Sequence, residues 1–328
     1  FELTQWAEDG AGNFTLTISP DGTTERVISG NLSTGLITLN GAERTIINGG
    51  NGDTTSRYLR FRNNYITAPA FRFINGARNN TIRNCHIESG YTGIHLSTST
   101  VSPGNSFNLI AYNDIHELTS STGIPQYGIL SQGSSSYPNA NNTISSNNIY
   151  NFSWSGVYVS STGNGGEWLI TGNSFFNNLA VPPSTTQRSI LFVPGWMSFG
   201  NIISYNHIGG KAPLCGGDPW ENNGVNNFYG IYMMAGFSSN YIRNNTICNI
   251  HQSSSAAGEF YGIMVDDSWV MVSGNTIGHN DTSKTVRNAG TYTAIDGIRI
   301  QYHTSTCLIH QNQVINTIFT ANSGQSSA

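Results

Sequence analysis

One short pattern recurs along the chain and leaves little freedom for the fold. It reads apolar-x-x-Asn-x-apolar. It occurs as "RFRNNYI" (60–66), "NTIRNCHI" (80–87), "NLIAYNDI" (108–115), "NTISSNNI" (142–149), "WLITGNSF" (168–175), "NIISYNHI" (201–208), "NYIRNNTI" (240–247), "VMVSGNTI" (270–277) and "CLIHQNQV" (307–314). The polar slot holds Asn64, Cys85, Asn113, Asn147, Asn173, Asn206, Asn245, Asn275 and Asn312, eight Asn in nine. Within one copy, Ile144 and Ile149 stand five residues apart. That is neither a helical period nor the alternation of a flat strand.

A second signature falls between these segments: "GIHL" (93–96), "YGIL" (127–130), "SGVYV" (155–159), "RSILFV" (188–193), "YGIYM" (229–233), "YGIMV" (261–265) and "DGIRI" (296–300). Gly followed by alternating apolar residues predicts a short strand. The two signatures alternate with a period of roughly 21 to 41 residues. Two or three short strands per repeat, with polar turns and variable insertions, predict a parallel β-helix. A single coil cannot bury its apolar face, whereas a stack can. Leucine-rich repeats need a Leu spacing that is absent, and propeller blades need antiparallel hairpins. Stacking also accounts for the asparagines. Equivalent turns superpose, so an inward Asn can bond the backbone and the Asn above and below, and a continuous ladder satisfies groups that one Asn could not. Asn also tolerates the left-handed backbone of tight corners. Cys85 fills the slot by size but interrupts the ladder.

By this pattern the chain resembles the right-handed parallel β-helix superfamily, the pectate-lyase-like fold, over about residues 35 to 316. The stretch "GLITLNGAERTIING" (35–49) looks like the opening coils of that family. The implied fold class is all-β, a right-handed solenoid of about nine to eleven coils. We expect one domain over 1–328, with short opening coils in 1–34, regular coils in 35–316 and a tail in 317–328. A start at Phe1 inside apparently structured sequence suggests a fragment of a longer protein.

The resemblance does not settle function, because the superfamily holds lyases, hydrolases, epimerases, tailspikes and adhesins. Charged residues make up only 10% of the chain, against roughly 25% in ordinary soluble domains. Net charge is −4 and no basic block occurs, which argues against nucleic-acid binding. No apolar run reaches membrane-spanning length. A surface rich in Asn, Ser and Thr, with only Lys211 and Lys284 as lysines, fits a secreted or cell-surface protein. The four cysteines lack metal-type spacing; Cys215 and Cys248 are candidates for a disulfide.

Candidate chemistry falls on outward positions of the Gly-Ile strands. Asp266, Asp267, Arg299 and His303 are expected to cluster on two adjacent coils, with an Asp266–Arg299 ion pair. Carboxylates with Arg and His on one face suit acid/base work on a glycosidic bond. "DD" followed by "RIQ" is loosely similar to the pectin-hydrolase branch, but the Asn-Thr-Asp and Gly-His-Gly of that branch are missing. Tyr158, Tyr232, Tyr302, Trp196 and Trp220 are candidates for stacking on sugar rings. The insertion 209–229, with 178–188 and 252–260, is expected to wall a groove. No cofactor is predicted, and a structural Ca²⁺ has no ligand cluster behind it. The expected function is a non-catalytic, adhesin-like segment, similar in composition to β-helix regions of large Bacteroidetes-type surface proteins. Its expected partner is a polysaccharide or cell-surface glycan, or other segments of the same protein. The rival is a polysaccharide lyase, glycoside hydrolase or epimerase.

Overall fold

A computed structural model describes residues 1–8, 12–118, 123–195, 198–223, 226–236, 239–253, 258–288, 295–301 and 306–319. They wind into a parallel β-helix. Three ten-stranded parallel sheets run the length of the stack, and each coil adds one strand to each. We call them sheets A, B and C in the order the chain meets them. One coil contains Tyr127–Ser131 in A, Thr143–Ser145 in B and Asn148–Tyr150 in C. The next repeats this with Ser155–Val159, Leu169–Thr171 and Ser174–Phe176, in the register Ile129↔Val157, Ile144↔Ile170 and Ile149↔Phe175. The first coil, with strands Glu2–Thr4, Leu16–Ile18 and Arg26–Gly30, lies within residues 1–34.

The bend from B to C has only two residues, and its two positions do different work. The first is left-handed: Asn84, Tyr112, Ser146, Tyr205, Asn244 and Gln311 have φ between 54° and 56°. L-residues pay about 1–2 kcal/mol for that conformation. Each is held there by stacking; Ser146 N–H, for example, donates to Thr171 O at 3.0 Å. The second residue is the ladder Asn, so left-handed tolerance belongs to its predecessor. Asn147 Nδ2 donates to Asn173 Oδ1 at 2.9 Å and to Ile110 O at 2.9 Å, while Asn147 N–H donates to the same Oδ1 at 3.0 Å. The scheme runs unbroken from Asn113 through Asn147, Asn173, Asn206, Asn245 and Asn275 to Asn312. Cys85 closes it by donating only its backbone N–H to Asn113 Oδ1 at 3.0 Å. Asn64 is not a rung. It is exposed, and Leu59 pairs with Cys85 in the equivalent position. The repeat pattern is out of frame there because "RFRNN" carries an Asn at the end of the strand Leu59–Asn63.

A second ladder stands at the start of sheet B. Asn80 donates to Asn108 and Asn108 to Asn142, each at 3.1 Å. Trp168, fully buried, takes the next position, and the ladder resumes with Asn201 donating to Asn240 at 2.7 Å. A third, shorter one links Asn105 to Asn139 at 3.1 Å.

The Gly of the second signature is a matter of space. A Cβ on Gly128 would meet Ile149 Cγ2 at 2.4 Å, and one on Gly93 would meet Ile115 Cγ2 at 2.4 Å. The Gly therefore lets the sheet C isoleucines reach the axis. Ile94, Ile129, Val157, Ile190, Ile231 and Ile263 fill the same axis from sheet A, each at most 1% exposed.

The insertion 209–229 is not simply a projecting loop. Trp220–Asn222 begins a fourth, four-stranded sheet with Ile250–Gln252, Val286–Asn288 and Ile318–Phe319. Trp220 is buried at 1% exposure, edge-on to Phe152 and Phe228 at 5.6 and 5.1 Å, so it is core and not a sugar platform. Trp168 is core as well.

Candidate functional site

The residue just before each signature Gly, or before Ser189 where it stands in for the Gly, points outward at the rim of sheet A. Register stacks Tyr127, Ser155, Arg188, Tyr229 and Tyr261 at this position on successive coils. Four steps of about 4.8 Å make a row roughly 19 Å long. Three residues on, Tyr158, Leu191 and Tyr232 stack likewise. The rings join into a strip. Tyr91 meets Tyr127 at 6.0 Å; Tyr127 stacks on Tyr158 at 5.7 Å and meets Trp154 edge-on at 5.3 Å. Tyr229 lies 5.7 Å from Tyr232 and stacks on Tyr261 at 4.9 Å. Arg188 bridges the two groups, 4.8 Å over Trp154 and 5.3 Å over Tyr229, and Arg299 lies 5.3 Å over Tyr261. Burial raises the phenol of Tyr127 to about 12 and raises that of Tyr158, so both remain hydroxyl donors.

The expected carboxylate cluster is arranged differently from its sequence reading. Tyr232 OH donates to Asp266 Oδ2 at 2.9 Å, and burial with this bond raises the Tyr232 phenol. Gln301, not Arg299, is the register partner of Asp266. Arg299 pairs with Asp296 at 3.2 Å and with Tyr261 OH at 3.2 Å. The Asp266–Arg299 pair is thus replaced, because Arg299 stacks on Met264 one residue pair away. Asp267 sits at φ 41° just past the strand, and its N–H donates to Gln301 O at 3.3 Å. His303, Tyr302 and Trp196 lie outside the described residues. Tyr158 and Tyr232 are in the strip.

A second group of ionisable residues covers the outer face of sheet C. Glu88 is fully buried and held by Arg60 and, at 2.5 Å, by Arg62. Arg60 also reaches Glu25 at 2.5 Å. Asp114 meets Arg57 at 3.3 Å and His86 at 3.4 Å. His116 lies 3.8 Å from Glu88 and stacks on Tyr150 at 4.8 Å. Burial pushes the Glu88 carboxyl up, but Arg62, His116 and Arg60 together hold it below its ordinary value. Glu25, Glu88 and Asp114 each have an arginine, so this is an ion-pair network between coils more than a vacant site. Stacking gathers residues some 26 to 35 positions apart, which hid the cluster from a reading along the chain. Among the described residues no group of three or more His, Cys, Asp or Glu side chains could hold a metal ion. No helix among them is long and apolar enough to cross a membrane.

The sequence reading named Tyr158 and Tyr232 but passed over Tyr127, Tyr229 and Tyr261. The signal was in the motif itself: "YG" opens three of the seven strands.

The structural relatives are distant. An alginate lyase from Paenibacillus sp. str. FPU-7 is 13% identical with a TM-score of 0.40, over 88% of this chain and 83% of that one. PfbA, a surface adhesin of Streptococcus pneumoniae, is 11% identical with a TM-score of 0.42, over 91% and 73%. A second structure of PfbA gives 11% and 0.32, over 96% and 81%. No protein-family model matches the chain. No curated protein matches it either.

Proposed function

We propose that this chain is a non-catalytic, adhesin-like β-helix segment of a secreted or cell-surface protein, and that the outer strip of sheet A binds a glycan. The observation that carries this reading is the aromatic row along the solenoid axis. The half-exposed rings of Tyr127, Tyr158, Tyr229 and Tyr232, held by their neighbours and backed by the buried Tyr261, offer flat apolar area at small entropic cost. Rings repeated at coil spacing suit a polymer whose sugars also repeat, laid along the stack. The carboxylates beside the strip are engaged: Asp266 by Tyr232 and Glu259 by Tyr261.

A glycan array with the wild-type protein tests the proposal. Binding to extended oligosaccharides is expected, weakened about tenfold by Tyr158→Ala or Tyr229→Ala. No hit on the array would sink it.

The competing reading, a polysaccharide-active enzyme, draws on the Tyr232–Asp266 contact, a phenol and a carboxylate at hydrogen-bond distance on an open face. Turnover on acidic and neutral polysaccharides, lost in Asp266→Ala and Tyr232→Phe, would replace the binding proposal with that one.

A further inference from the structure

Arg188 combines two features found together in no other described arginine: the lack of a carboxylate partner, which it shares with Arg72, Arg83, Arg243 and Arg287, and a covered N–H without a hydrogen-bond partner. Arg26, Arg44, Arg57, Arg60, Arg62, Arg78 and Arg299 each lie within 4.0 Å of a carboxylate. Arg188 has no such partner among the described residues. It is also only partly exposed, and its Nη1 is covered without a hydrogen-bond partner. Removing a guanidinium from water with no counter-charge is costly. The facing π-systems of Trp154 and Tyr229 return part of that cost. They do not satisfy N–H groups, and an unpartnered buried donor in a surface strip is a reason to look for a ligand. The groups around it are the phenols of Tyr127, Tyr158, Tyr229 and Tyr232, with no carboxylate among them. Burial lowers the basicity of Arg188 without removing its charge.

The position matters as much as the missing partner. Arg188 sits mid-strip, with Tyr127, Trp154 and Tyr158 on one side and Tyr229, Tyr232 and Tyr261 on the other. A ligand stacked on both ring groups must pass over the guanidinium. A planar fork with several donors matches a carboxylate or sulfate oxygen pair better than a neutral hydroxyl.

We propose that Arg188 is an anion subsite within the strip, taking one carboxylate or sulfate ester of an acidic glycan whose neighbouring rings stack on Tyr158 and Tyr229. This rests on the glycan-binding reading above and deepens it. The charge supplied is single, since Arg299 is already paired with Asp296. One acidic sugar per bound segment is therefore sufficient. The net charge of −4 gives no long-range attraction, so discrimination arises at contact.

The test measures affinities by calorimetry for three hexasaccharide probes: a neutral cello-oligosaccharide, an oligogalacturonate and a chondroitin sulfate oligosaccharide. The expected result is at least tenfold tighter binding of one or both acidic probes by the wild type; which one wins distinguishes carboxylate from sulfate. Arg188→Gln is expected to reduce that preference to below twofold. Arg188→Lys, which keeps the charge and loses the fork, is expected to fall between the two. Thermal melts of both variants establish that they fold, and the lysine variant keeps the test decisive if the glutamine variant does not. Equal wild-type affinity for neutral and acidic probes, or an acidic preference that survives in Arg188→Gln, overturns the subsite and leaves glycan binding standing. Binding of no probe overturns both.

Discussion

A ladder asparagine is irreplaceable because one side chain meets four demands. Asn147 accepts two bonds through Oδ1 from Asn113 and donates two through Nδ2. Asn147→Ala takes the acceptor from Asn113 N–H and from one of the two Asn113 Nδ2 bonds, and a donor from Ile110 O, at about 1–3 kcal/mol for each buried group left short. The expected loss is at least about 3 kcal/mol, read as a lower midpoint in denaturant unfolding. Asn312→Ala, at the last rung, takes the same acceptor from Asn275 but beside solvent, and should cost less, about 1–2 kcal/mol. The same scale holds the acid response. Burial lowers His95 to about 4, and its Nε2 is covered without a partner. The unfolded chain binds that proton near pH 6.5, so stability is full above that value and falls as pH drops toward 4. Thermal melts between pH 7 and pH 4 should show this fall, and His95→Gln should flatten it. Glu88, whose folded value is held low, adds a loss in the same direction at lower pH.

At the level of strands and bends, local pattern was readable wherever it coincided with the coil. The B-to-C bend has a two-residue frame, so "x-Asn" followed by one polar and then one apolar residue marks it in seven coils. The second ladder is less legible, because Asn80, Asn108 and Asn142 open their segments but Trp168 takes the place in the next copy, so no unbroken repeat marks the position. Trp220 was misplaced for a different reason: a Pro- and Gly-rich insertion looks like loop until Ile250–Gln252 pairs with it. Two opposing effects meet at Trp168. Trp168→Asn would complete the second ladder with Asn142 and Asn201, worth about 1–2 kcal/mol, but would empty a fully buried indole, costing about 3–5 kcal/mol. Net destabilisation is expected in a thermal melt. Cys215, in the 209–229 insertion, and Cys248 are both buried and free and line one cavity, with Cys215 Sγ donating to Thr246 O at 4.0 Å. In an oxidising medium, peptide mapping without reductant should find them joined. The bridge would close a loop of 33 residues and stabilise the coil by about 3–4 kcal/mol relative to the reduced protein.

Across the whole molecule, the fold was legible and the site only half so. Repetition specifies a solenoid in one dimension, and register then follows from the ladder. Which outward residues meet depends on the lateral stacking of distant segments, and no spacing along the chain reports that. Tyr127 and Arg188 are 61 positions apart yet lie two coils apart. The B-to-C bend carries a further consequence. Because Asn113 and Asn147 hold the same place in the coil and make the same donor bonds, the molecule has a natural splice point. Excision of residues 114–147 would join Asn113 to Asn148, whose strand already matches that of Asp114. The shortened protein should refold into a stack one storey lower, with a cooperative melt. It would lack Tyr127 while keeping Arg188, so its glycan affinity would register the removal of one ring. A protein built this way can change the length of its binding face by gaining or losing whole storeys, without redesigning the ladder.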